Sequence, residues 1–502
     1  MLSAVIFGPT LFLNLALTRM IPDQTGWDID YDQARAGFLF RSAHITGLRL
    51  TPRNADLPLS AAEVNLEGLA AGKIISLIRA PSAARPAPAI LAARVTVTDF
   101  RAGRDYLSLT VPECTAERLV LPADEEGRNQ IPLLFARFSL RDFSFKAGEG
   151  LNFRISRLEA RDLKQETLGS LKISALDFAF DGGGGRPAEG LRLEALTMGR
   201  FKTEAAKRAF SGRLDAASLP WLLAACDTLD AAQAIWSRGG REALNIRRIL
   251  FDFNTAGPSG TVNYVRCFDF RVDLTALGAG SGEAVWGDLV DIAGPVVDMS
   301  LDLEADFNRQ TGQINLRQAA LASPTLGRLE AGGRLTGMML VRPWLTPSQL
   351  LFANSALLEN LYIDYKDQGL AAGLYRHFDR TIFRDFTGRS TADNLMIHYV
   401  KHLAGLLKDE QGLANLPSLI SEAEAFLARP EAAGLTAHPA SPFPLIALLA
   451  NPDYYDIIEK LRLTVQVNNR APVAVAVHSG IFHERLPSSP KPMENMFDED
   501  DI

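Results

Sequence analysis

Cysteine is scarce in this chain: three among 502 residues, at Cys114, Cys226 and Cys267. Three thiols cannot all pair within one molecule, and none stands in a Cys-x-x-Cys spacing. A disulfide framework, a cysteine zinc site and a dithiol redox pair are therefore excluded, although one disulfide stays open. Basic charge is also in short supply. The 52 Lys and Arg face 59 Asp and Glu for a net charge of −7, and no basic run concentrates the cations. A duplex-binding surface needs such a concentration, so nucleic acid is excluded as a partner.

Catalytic signatures are missing as well. There is no Gly-x-Ser-x-Gly elbow. Gly278, Gly280 and Gly282 lack the spacing of a phosphate-binding loop. Asp306-x-Asn308-x-Gln310 opens like a calcium loop, but its glycine arrives one place late, at Gly312, and Arg317 fills the twelfth position. His398 and His402 share a helix face with Asp409, opposite Met396, Val400, Leu403 and Leu407, which places them on the solvated side. Asp28, Asp30 and Asp32 read as the wet side of a strand. No catalytic, metal or cofactor site is expected, and the chain is expected not to be an enzyme.

What is present is apolar content, 47% hydrophobic against 22% charged, which excludes wholesale disorder and a collagen-like chain. The length admits about three domains or one long architecture. One uncharged run covers residues 2–17, LSAVIFGPTLFLNLAL, before Arg19. At about 1.5 Å per residue such a helix reaches roughly 24–28 Å, near the thickness of a hydrocarbon core. Ser3, Thr10 and Asn14 dilute the run and Pro9 kinks it. A membrane anchor, a cleaved signal peptide and a buried helix compete. With no basic n-region and no Ala-x-Ala site, the expectation is an anchor over residues 1–21.

Past Pro22 the text has a period of two. WDIDYD sets Trp27, Ile29 and Tyr31 against three aspartates, and ARVTVTDF, FSLRDFSF, FRISRLEA and LKISALDFAF follow. Such alternation puts apolar side chains on one face of a sheet and polar ones on the other. Val262, Tyr264, Phe268, Phe270, Val272 and Leu274 read as one face; Met299, Leu301, Leu303, Ala305 and Phe307 read as another. Turn signals at intervals of roughly 10–25 residues make the whole an antiparallel meander. The expected organisation is a β region over 22–202, a helical insert over 203–245 and a second β region over 246–369. A helical block with closing strands follows over 370–486, then a disordered acidic tail over 487–502.

An apolar N-terminal segment leads into an aspartate-rich strand, followed by serial units such as AAEVNLEGL, AARVTVTDF and TLGSLKISALDF. This arrangement resembles the AsmA-like group of bacterial envelope proteins, best over residues 1–200. The resemblance continues through TGQINLRQAALASPTLGRLEAGGRLTG at 311–337. It implies an elongated, twisted antiparallel meander curled into a groove, mainly β with helical inserts (α+β), held by an N-terminal transmembrane helix. It further implies a single-pass inner-membrane protein with its bulk in the periplasm. Such a protein would carry phospholipid or another acyl lipid, support outer-membrane biogenesis, and engage envelope protein partners. On that implication the groove candidates are Trp27, Ile29, Tyr31, Val95, Val97, Tyr264, Phe268, Phe270, Val272, Leu301 and Leu303. The alternation itself does not require a groove. A one-faced meander can be covered by helices, by a second sheet or by a ligand. A scaffolding protein with a closed β-core that docks partners satisfies the same text.

Overall fold

The structure is a computed structural model, and it describes residues 2–20, 27–53, 57–70, 72, 89–104, 106–121, 134–148, 150–164, 167–182, 188–202, 226–252, 261–278, 284–308, 313–337, 356–381, 413–447 and 454–477. His398, His402, Asp409 and the acidic tail lie outside these residues, as does the first part of the expected helical insert, 203–225.

One antiparallel sheet of 21 strands organises the chain. Its first edge is shared by β1 (Trp27–Asp30) and β2 (Gln33–Ala36), which pair with opposite ends of β3 (Ser42–Pro52). From β3 the chain runs through β4 (Leu59–Glu67), β5 (Ala89–Arg104), β6 (Leu107–Leu121), β7 (Phe135–Ala147), β8 (Leu151–Leu163), β9 (Thr167–Phe180) and β10 (Glu189–Lys202). It continues through β11 (Thr228–Arg238), β12 (Arg241–Asp252), β13 (Thr261–Asp273), β14 (Val296–Asn308), β15 (Gln313–Ser323), β16 (Gly327–Thr336) and β17 (Leu357–Asp367). Each strand pairs with the one before it and the one after it. At about 4.8 Å per strand, β3 to β17 span roughly 65–70 Å. β18 (Ala432–Ala437) and β19 (Phe443–Pro444) both pair with β17, and β20 (Leu463–Val467) and β21 (Val473–Ala474) finish the order. Residues 228–238 and 241–245, within the expected helical insert, are therefore strands, and β12 continues into the expected second β region. Their alternation is diluted by Ala231, Ala232 and Ala234, which satisfy either period.

The sheet is open. Among the described residues β1 and β2 pair only with β3, and β21 pairs only with β20 and never with the first edge. The expected groove and the alternative closed core are both overturned by this strand order: the sheet neither curls shut nor packs into a sandwich.

The apolar N-terminal run is α1 (Leu2–Leu15), of 14 residues, continued by a π-turn over Ala16–Met20. At about 1.5 Å per residue α1 reaches roughly 21 Å, short of a core of about 30 Å. No helix among the described residues is long and apolar enough to cross a membrane. The anchor, the single-pass inner-membrane placement and the membrane partnership through residues 2–20 are thereby corrected, and with the groove and the anchor both overturned so is the phospholipid-carrying role in outer-membrane biogenesis that rested on them. The residues that dilute the run explain its place. The Thr10 hydroxyl accepts from the Ala36 N–H at 3.1 Å and donates to the Ala36 carbonyl at 3.4 Å. Asn14 donates to the Ala34 carbonyl at 3.4 Å and accepts from the Tyr31 hydroxyl at 2.6 Å. The Ala34 and Ala36 groups belong to β2, whose outer edge would otherwise offer unpaired backbone. Leu17 then packs on Ala34 and Ile45, with Leu13, Leu48 and Val64 around them. Helix α1 is an edge cap.

The remaining helices lie at strand ends. α2 (Leu274–Gly278) and α3 (Ala284–Ala293) connect β13 to β14, and α4 (Leu370–Thr381) follows β17. α3 and α4 approach closely: a Cβ on Gly373 would lie 2.0 Å from the Ile292 carbonyl oxygen. Arg380 joins Asp291 across the pair at 3.0 Å. Asp367 caps α4 by accepting from the Gly369 and Ala371 amides, both at 3.0 Å. α5 (Leu416–Ala428) packs near β20, and α6 (Tyr454–Leu461) sets Ile457 and Leu461 on Leu358 and Phe443.

Candidate functional site

The feature that distinguishes this sheet is a line of left-handed residues across it. Gly47 in β3, Asp99 in β5, Asp142 in β7, Ala175 in β9, Gln233 in β11 and Asp269 in β13 have φ between 45° and 62°. They fall in every second strand, and the registers on either side of each align them from strand to strand. A second line crosses the first half of the sheet at Gly68, Arg118 in β6, Asp162 in β8 and Arg200 in β10, with φ from 47° to 61°. An L-residue with positive φ departs from the extended conformation and kinks its strand. The non-glycine members of both lines are exposed, so they form two creases on the outer side.

Each crease of the first line shifts the phase of the alternation. Val97 and Phe100 flank Asp99, Leu140 and Phe143 flank Asp142, and Ile173 and Leu176 flank Ala175. In every case two apolar residues three apart come to the same face. Strict alternation would put them on opposite faces.

With the phase corrected, apolar residues line up across the sheet. Ala34, Ile45, Val64, Val97, Cys114, Leu140 and Leu158 stand opposite one another in turn. The same row runs on through Ile173, Leu196, Ala231, Ile249, Cys267, Leu301, Leu321, Leu329 and Tyr365 to Ala433 and Val467. A parallel row passes through Leu66, Val95, Phe138, Leu171, Leu229, Phe251, Leu303, Ile363 and Leu435 to Val473. Its intervening positions, including Ala116, Ala160, Met198 and Val265, are apolar too. Across the first crease a third row joins Phe143, Ile155, Leu176, Leu193, Ala234, Ile246, Phe270 and Met299.

No family model matches this chain, and no curated protein does either. The rows must be read on their own chemistry. At one end the π-turn that continues α1 covers them through Leu17, and at the other α6 covers the neighbouring surface through Ile457 and Leu461. Between the ends most row residues are only half-buried, and Leu321 and Leu329 are exposed to 39% and 42%. Burial still acts on the two thiols in the first row. Desolvation pushes the Cys114 thiol up to about 11 and raises that of Cys267. None of the three cysteines is in a disulfide.

The opposite face is a lattice of arginine–carboxylate pairs. Arg94 joins Glu117 at 2.9 Å, Arg248 joins Asp230 at 2.9 Å, and Arg266 joins Asp302 at 2.9 Å and Glu304 at 3.2 Å. The hydrogen bond from Arg248 holds the Asp230 carboxyl below its ordinary range, against a desolvation effect that raises it. The aspartates of the first strand belong to the same lattice: Arg53 holds Asp28 and Arg49 holds Asp30, each at 2.9 Å, with Asp32 at 3.3 Å. Asp306 likewise accepts from Arg317 at 2.6 Å.

The structure distributes the eleven candidates. Val95, Val97, Leu301 and Leu303 lie in the two long rows, and Phe270 lies in the third, with Val272 opposite Leu244 and Val297 beyond it. Trp27 and Ile29 are in β1 at the sheet edge, where Ile29 packs beside Leu17, and Tyr31 follows them as the Asn14 partner. Tyr264 and Phe268 fall on the polar side. Tyr264 stands opposite Asp252 and Glu304, with the Arg266 guanidinium 5.2 Å from its ring centroid, and Phe268 stands opposite Arg248. The register shift between Cys267 and Phe270 is the reason. It gives Val265 and Cys267 to the apolar face in place of Tyr264 and Phe268. The missed signal is the apolar pair at a spacing of three, repeated at one depth in successive strands.

Proposed function

We propose that this protein is a non-catalytic β-scaffold whose open apolar face docks amphipathic helices of a partner polypeptide. The observation that carries the reading is the unbroken apolar row from Ala34 to Val467, with a helix of the chain itself seated near each end. A surface that accepts Leu17 of the π-turn after α1 and Ile457 of α6 offers the same chemistry along its middle. Each fully buried Leu or Ile is worth roughly 1.5–3 kcal/mol gross. Four such anchors on a two-turn helix give about 6–12 kcal/mol gross, which after an association cost of at least about 4 kcal/mol corresponds to millimolar affinity, and to micromolar affinity at the upper end. The pairing of outer-face carboxylates with arginines supports a structural role for that face. The cadence shared with the AsmA-like group enters this proposal as a likeness of strand pattern, without an anchor or an enclosed groove.

The test uses a labelled Leu/Lys amphipathic peptide and a scrambled peptide of the same composition, read by fluorescence anisotropy on the full chain. The amphipathic peptide is expected to bind at least tenfold more tightly. Leu140→Asp and Leu301→Asp, which break the row at two places, are expected to abolish the difference. Equal binding of the two peptides to the unmutated chain would refute the reading.

A further inference from the structure

Helix α1 is uncharged throughout, and the sheet uses only one side of it. Residues 2–18 carry no charge, and Arg19 is the first charged side chain. Thr10 and Asn14 are committed to the backbone of β2, and Leu13 and Leu17 pack with Ala34 and Ile45. On the other side Leu11 and Leu15, one turn apart, are exposed to 70% and 46%. Phe38, exposed to 66%, stands in the one-turn segment Phe38–Phe40, which α1 touches through Phe12. The Phe12 and Phe40 rings meet edge-on with their centroids 5.3 Å apart. A helix with no charged side is stable where all of it is buried, so the Leu11/Leu15 stripe calls for a cover.

Both ends of the sheet are sealed against strand addition. At the first, α1 occupies the edge of β2. At the last, the Ala476 amide donates to Asn415 Oδ1 at 2.9 Å, and the Ala414 amide donates to the Ala476 carbonyl at 2.8 Å. The Asn415 side chain also donates to the Ala474 carbonyl. Copies of this chain therefore cannot join by pairing their edges, and helix against helix is the contact left at the first end.

The stripe holds no carboxylate, guanidinium or amide by which a charged partner could be recognised. An identical stripe matches it in shape and in lack of charge. Set antiparallel, two copies cross Leu11 of one over Leu15 of the other twice. Their macrodipoles then oppose, and the two Arg19 side chains lie at opposite ends. Set parallel, helix ends of like sign and the two arginines would meet. The patch offers roughly 300–400 Å² per copy, below the ~600 Å² per partner of a standard interface and in the range of a transient one.

We propose that α1 is the interface of a weak isologous dimer, in which Leu11 and Leu15 of two copies interlock antiparallel about a twofold axis. The contact lies outside the apolar rows, so it goes beyond the docking reading and does not depend on it.

The experiment is sedimentation velocity of the full chain over about 1–300 µM, where a transient interface gives a monomer–dimer equilibrium with a dissociation constant of roughly 10–100 µM. Leu11→Asp and Leu15→Asp each place two carboxylates in the contact and are expected to weaken it at least tenfold, with Tm unchanged because both side chains are exposed. Leu140→Asp and Leu301→Asp, in the rows, are expected to dimerise like the unmutated chain, so loss of docking and loss of dimerisation are separable. Under mild oxidation a mixture of Leu11→Cys and Leu15→Cys chains is expected to cross-link faster than either variant alone. A chain that is monomeric at every concentration, or a dimer undiminished in both aspartate variants, would overturn the proposal. So would preferential linkage of Leu11→Cys to itself. A monomeric chain whose binding of the Leu/Lys amphipathic peptide is lost in Leu11→Asp would give the stripe to a foreign helix and overturn it as well.

Discussion

Replacing Ala175 tests the crease directly, because the direction of the effect reverses if the backbone is ordinary strand. Ala175 has φ 50°, carries no functional group and is exposed, so substitution changes its backbone preference with little change in packing. Holding an L-residue in the left-handed region costs roughly 1–2 kcal/mol, and glycine escapes that cost while losing about 0.5–1 kcal/mol through its freer unfolded chain. Ala175→Gly is therefore expected to stabilise β9 by about 0.5–1 kcal/mol. Ala175→Val is expected to destabilise it by about 1–2 kcal/mol, since a β-branched residue is a steric outlier there. An ordinary exposed strand position would give the opposite order, valine above alanine above glycine, across about 1 kcal/mol. The chain is long enough that 1 kcal/mol moves a global Tm by only about 1 °C. Hydrogen exchange of a peptide covering residues 171–180 reads the local opening free energy instead. Greater protection in Ala175→Val than in Ala175→Gly would refute the crease.

Three further outcomes follow from the same structure. Thr10→Val makes the N-terminal segment more apolar yet strips the Ala36 amide and carbonyl of their partner, so it is expected to cost about 1–3 kcal/mol at the β2 edge, seen as faster exchange over residues 33–36; unchanged exchange would remove the capping role. The Asp230 carboxyl is depressed in the folded state, so its contribution is present above the unfolded value of about 4 and lost as pH falls through the lower folded value. Asp230→Asn is accordingly expected to flatten the acid limb of a stability-against-pH curve below about pH 4, and an unaltered limb would contradict the pairing with Arg248. The Cys114 thiol, raised to about 11 by burial, is expected to resist iodoacetamide at pH 8 in the folded chain and to react in urea, as mass spectrometry of its peptide would show; rapid native labelling would mean that the first row is more open than described here.

The readings that succeeded from sequence were local ones. Alternation in ARVTVTDF or LKISALDFAF marks a strand because side chains in an extended chain point to opposite faces, and no distant contact alters that. The phase of the alternation was also legible, in the apolar pairs Val97/Phe100 and Leu140/Phe143, but reading it requires several strands side by side. Tyr264 and Phe268 read as apolar-face residues within their own strand, and only that comparison puts them on the polar side. The Ala-rich text of residues 228–238 satisfies either period, and pairing with β10 and β12 decides the matter.

What the sequence determined by itself is the existence of a long antiparallel meander with one apolar and one charged face. What only the tertiary structure decided is where that meander ends and what meets its edges. The run at 2–17 has the composition of several different segments. It becomes an edge cap because Thr10 and Asn14 find the unpaired backbone of β2, a partner 20 to 26 residues away.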